Sequence, residues 1–75
     1  MTKDDREIVQ RLFAVATGVA SEAVEAAVMG QNGRISLERA AAIAARLEGL
    51  AASLLSLASA IQVCAQTPRR QSRPN

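Results

Sequence analysis

Histidine, tyrosine and tryptophan are absent from this 75-residue chain, and phenylalanine and cysteine occur once each, as Phe13 and Cys64. Without histidine or tyrosine, and with a single thiol, general acid–base and nucleophilic catalysis lack most of their usual side chains. The acids are spread along the chain and make no evident pocket, so the sequence offers no catalytic residue and implies no cofactor. Zinc would miss its customary ligands, and one cysteine cannot form an internal disulfide. Both prolines fall in the last eight residues, as Pro68 and Pro74.

These absences restrict how the chain can be stable. Seventy-five residues make one domain at most, and a core of that size is marginal unless disulfides, a metal or association supplement it. Association is the route left open. One unpaired cysteine, and a start without the charged, apolar and small-residue pattern of a secretory signal, lead to the expectation of a cytoplasmic setting.

Charge is scarce where a nucleic-acid surface would need it. The net charge of +2 divides into −1 over residues 1–66, with six Lys or Arg against seven Asp or Glu, and +3 over residues 67–75. The basic character therefore belongs to the tail, where Arg69, Arg70 and Arg73 are the candidate phosphate contacts. Three neutralised phosphates would give a salt slope of only about −2 to −3.

What is present is a helix-packing pattern. Ile43, Leu47, Leu50, Leu54, Leu57 and Ile61 recur at alternating gaps of four and three, with Ala40 and Cys64 continuing the series at its ends. That is the heptad spacing at which one stripe of an α-helix keeps facing another helix. These six large residues are the expected self-association seam.

Around the seam the sequence predicts an all-α antiparallel two-helix hairpin over residues 1–66: a first helix over about 4–29, a turn over 30–35 and a second helix over about 37–66. Thr2 is a candidate cap for the first helix, with Asp4, Asp5 and Glu7 placing negative charge near its start. Ile8, Val9, Leu12, Phe13, Ala16, Val19, Ala20, Ala23, Val24 and Ala27 then fall on one broad face at helical spacing. Gly30 suits a left-handed residue closing this helix, and Asn32-Gly33 a reversal with positive φ. Ser36 is the expected N-cap of the second helix, which spans about 45 Å against about 39 Å for the first. A single helix-to-helix contact leaves apolar surface uncovered on each, and homodimerisation into a four-helix bundle would cover it.

The second helix has no charge between Glu48 and Arg69, and Leu55 and Val63 lie off its seam. A helix without a strongly polar face is buried on more than one side, in an assembly or in a bilayer. Membrane association through residues 49–68 is thus an alternative, opposed by Ser53, Ser56, Ser59, Gln62, Gln66 and Thr67. Gly18 and Gly49 interrupt the helices on outward faces and, with Leu55 and Val63, mark a candidate partner surface. The tail of residues 67–75 is expected to be disordered, with Pro68 ending the helix.

Two antiparallel helices of similar length resemble the layout of the Rop class of RNA-binding four-helix bundles. That resemblance implies a dimeric nucleic-acid-binding protein and carries no residue assignments. The polar face of the first helix, with Glu7, Glu22 and Glu25 against Lys3 and Arg11, is net acidic, a poor surface for a phosphate backbone. The chain is also similar to helical-hairpin co-chaperones of type III secretion needle subunits in one detail, a Leu-Glu turn in the helix that follows the loop, here Leu47-Glu48-Gly49. The expectation is a non-enzymatic interaction module (regulator, adaptor, chaperone or assembly subunit) that pairs with itself and with another protein.

Overall fold

The computed structural model describes residues 3–66. They form two α-helices, α1 (Lys3–Gly30) and α2 (Leu37–Gln66), packed side by side in an antiparallel hairpin. Among the described residues there is no strand. The suggested cap Thr2, and the tail with Arg69, Arg70 and Arg73, lie outside the described residues.

Each helix start carries a local reason. Asp4 and Asp5 stand in the first turn of α1, where the exposed N–H groups of the helix end favour negative charge. Ser36 caps α2: its Oγ accepts a hydrogen bond from the Arg39 N–H at 3.1 Å, and its carbonyl accepts the first helical bond from the Ala40 N–H at 2.9 Å. Such a cap stabilises a helix by about 1 kcal/mol.

The turn is made differently from the expectation that glycine would supply left-handed residues. Neither Gly30 nor Gly33 lies in the left-handed region, and Gly30 is the last residue of α1 itself. The final turn of α1 instead tightens into i→i+3 bonds, from the Gln31 N–H to the Val28 carbonyl at 3.1 Å and from the Asn32 N–H to the Met29 carbonyl at 3.3 Å. Asn32 then reverses the chain with its side chain. Its Oδ1 accepts the Arg34 N–H at 3.0 Å, and its carbonyl accepts the Ile35 N–H at 3.1 Å.

The contact between the helices is narrower on α1 than its broad apolar face suggests. Asp5, Val9, Leu12, Ala16, Val19, Ala23 and Ala26 are the partly or fully covered residues of α1, spaced by alternating fours and threes. Ile8, Phe13, Ala20, Val24 and Ala27, expected on the buried face, are exposed. A strict heptad seam on α2 selects a strict heptad seam opposite, because a supercoiled pair keeps one narrow stripe in register over its whole length. The one fully buried residue among those described is Ala26, at 1% exposure.

A candidate interaction surface

On α2 the covered residues are Ala40, Ile43, Leu47, Leu50, Leu54, Leu57, Ile61 and Cys64, joined by Ala60 just outside the seam. The six predicted seam residues thus face α1, and all remain half-covered. Small residues of α1 lie against large ones of α2: Gly30 is level with Ile43, whose Cγ2 would be 3.8 Å from an added Cβ, and Ala16 shares a notch with Leu54 and Ile61.

Two grooves run along the hairpin, one on each side of the seam, and they are built from different residues. On the first, Arg46 Nη2 comes within 3.6 Å of Glu22 Oε2 across the groove, both side chains about half exposed. An ion pair so solvated contributes about 0.2–1 kcal/mol at most. Steps of seven from this pair bring Val15 level with Ser53, Ile8 level with Ala60, and Met29 level with Arg39. Met29 and Arg39 line a common depression of about 410 Å³ beside the turn, and Ala60 is half-covered. This groove, the Glu22 flank, is crossed by that ion pair and edged by the exposed Ile8, Val15 and Met29.

The opposite groove, the Phe13 flank, is open. Phe13, Ala16, Leu54, Ala58, Ile61 and Gln62 enclose a notch of about 400 Å³ on it. Phe13, the chain's sole aromatic residue, is 56% exposed at the rim. Its carbonyl accepts a hydrogen bond from the Thr17 hydroxyl at 3.0 Å. Steps of seven from the Phe13–Ala58 layer bring Ala20 level with Ala51 and Ala27 level with Ala44, and all four alanines are exposed. Leu55, 71% exposed, and Val24 stand along the outer edges of this flank with Glu48, and Arg6, seven residues before Phe13, continues its wall level with Ala65.

The residues singled out as a partner surface do not form one patch. Leu55 borders the Phe13 flank, whereas Gly18, Gly49 and Val63 lie at heptad positions turned toward the other side. An added Cβ at Gly18 or Gly49 would meet nothing within 4 Å. The alanine wall of α2 follows the heptad one position beyond the seam, where Ala44, Ala51, Ala58 and Ala65 recur every seventh residue.

Compared with models of protein families, with curated proteins and with solved structures, the chain matches none. What the hairpin can do is therefore carried by its surface. Both helices, over Asp4–Gly30 and Leu37–Gln66, are long and apolar enough to cross a bilayer by length and composition.

Proposed function

We propose that this protein is a non-enzymatic protein–protein interaction module, whose hairpin is half of a four-helix bundle completed by a second copy. The observation that carries this reading is the mismatch between apolar content and burial. Among the described residues Ala26 alone is buried, while nine large apolar residues, Phe13 and Leu55 among them, are exposed. Covering one such side chain is worth about 1.5–3 kcal/mol, a large share of the few kcal/mol that a single core of this size supplies. A second hairpin also completes the half-covered seam of Ile43, Leu47, Leu50, Leu54, Leu57 and Ile61, so the same residues support both the fold and the association. Sedimentation equilibrium at micromolar concentration tests the reading. Twice the chain mass is expected, and a folded monomer refutes it.

A second reading has its own observation, the two helices of bilayer-spanning length and apolarity. Glu22 and Glu25 stand inside α1, and Ser53, Ser56, Ser59 and Gln62 inside α2, positions that are costly within hydrocarbon. Flotation with lipid vesicles separates the readings: a bilayer hairpin floats, whereas a water-soluble bundle stays in the aqueous fraction.

A further inference from the structure

We propose that the second copy covers the Phe13 flank rather than the Glu22 flank, with the two turns at opposite ends and each Phe13 seated over the Ala20–Ala51 layer of the other copy. The proposal rests on the dimer reading above and adds the face and the orientation. The size of the flank fits the occupant: two helices of about 45 Å side by side present about 900 Å², against the 800 Å² or so that each partner contributes to a stable dimer. The Glu22 flank carries the Glu22–Arg46 ion pair across it, whereas the Phe13 flank joins an exposed aromatic ring to exposed alanines at Ala20, Ala27, Ala44, Ala51 and Ala58.

Orientation follows from where the large and small residues sit. Phe13 and Ala20 are equally distant from the midpoint of Lys3–Gly30. A twofold axis lying between the two copies, level with that midpoint and running across the helices, therefore brings each Phe13 to the level of the other copy's Ala20 and Ala51. The ring meets a pair of methyl groups there, and large against small is how a core reaches interior packing density. With both turns at the same end, the two Phe13 rings would instead share one level, and the Ala20–Ala51 and Ala27–Ala44 layers would each meet their own copies, leaving voids.

The test uses the full chain with Cys64→Ser and a nitroxide on Gly33→Cys in the turn, where an added side chain meets open space and φ is not left-handed. Turns at opposite ends give an inter-label distance of about 40–50 Å, and turns at the same end one below about 25 Å. Dissociation constants of Phe13→Ala and Val15→Ala supply the second arm, since both residues are exposed apolar positions of α1 on opposite flanks. Loss of a central aromatic anchor weakens association by about tenfold or more, so Phe13→Ala is expected to exceed Val15→Ala by that factor. A dimer with the short distance, or one more sensitive at Val15, overturns this face and orientation while sparing the dimer. A wild-type monomer overturns both proposals. A long distance that appears only with phosphatidylcholine–phosphatidylglycerol vesicles assigns the flank to lipid and also overturns it.

Discussion

Along the Glu22 flank, Glu22 and Arg46 approach each other across the groove, whereas along the Phe13 flank alanine faces alanine at two successive layers. The seam between the grooves is common to both, so the contrast arises in the residues one position outside it. A methyl group on each wall cannot span a groove between two helices, and among the described residues Ala20, Ala27, Ala44 and Ala51 stay exposed along the second groove. One hairpin thus has a side crossed by an ion pair and a side walled by alanine beneath an exposed aromatic ring, and that asymmetry distinguishes its two faces.

The most damaging change expected is Leu54→Glu. Leu54 belongs to the seam and also lines the Phe13-flank notch, so a carboxylate there loses solvation against apolar neighbours. The cost is several kcal/mol, comparable to the stability a core of this size supplies. The same substitution at the exposed Ser53, Ser53→Glu, is expected to stay within about 0.5 kcal/mol. Circular dichroism with sedimentation reads both. Equal helicity and equal association in the two variants would remove the contrast between seam and surface.

A milder pair addresses the grooves themselves. Ala51→Leu adds three carbons to the open flank, and if another copy covers that flank the added volume costs about 1–3 kcal/mol. Ser53→Leu adds similar bulk on the bridged flank and is expected to shift stability by no more than about 0.5 kcal/mol. Thermal melts at two protein concentrations tell folding from association. If Ser53→Leu proves the more harmful, the roles of the two flanks are reversed.

How far this arrangement is legible in the sequence differs between the helices. The α2 seam stands out because Leu and Ile at a period of 3.5 contrast with the Ala and Ser between them. Its counterpart on α1 does not, since it begins with Asp5 and continues largely through alanine and valine, while Ile8, Phe13 and Val24 lie close by in angle and are larger. Side-chain size alone points to those three, yet helix-to-helix geometry leaves them exposed and buries Ala26. Alanine is ambiguous in sequence because it suits a close contact and a solvated helix surface equally well. The turn shows a similar limit: Gly30 and Asn32-Gly33 locate it correctly, but the Asn32 side chain and the tightened end of α1 make it.

Gly49→Ala sharpens the comparison from outside both grooves. Gly49 lies at an outward position where an added Cβ meets nothing within 4 Å. Replacing it is expected to stabilise α2 by up to about 1 kcal/mol, which for a domain this small raises Tm by about 4–8 °C. Gly18→Ala should act the same way. A loss of association in Gly49→Ala, despite a higher Tm, would show that a third surface on the back of the hairpin needs close backbone approach.

The smallest effect is expected from removing residues 68–75, and it decides whether the two-groove description captures the protein's binding at all. The truncation deletes Arg69, Arg70 and Arg73 and leaves both flanks and the seam intact. The body that remains is nearly neutral, at −1 over residues 1–66, with no aromatic residue besides Phe13 to stack on a base. A module that works through its grooves keeps its helicity, its mass and its captured partner after truncation. A nucleic-acid binder of Rop-like architecture loses binding instead, because nearly all its favourable electrostatics reside in the tail, and the intact protein's binding should also weaken steeply as salt rises. Pull-downs with full-length and truncated chains, with and without nuclease, separate the two outcomes. Capture that needs both the arginines and intact nucleic acid would move the functional surface from the grooves to the tail.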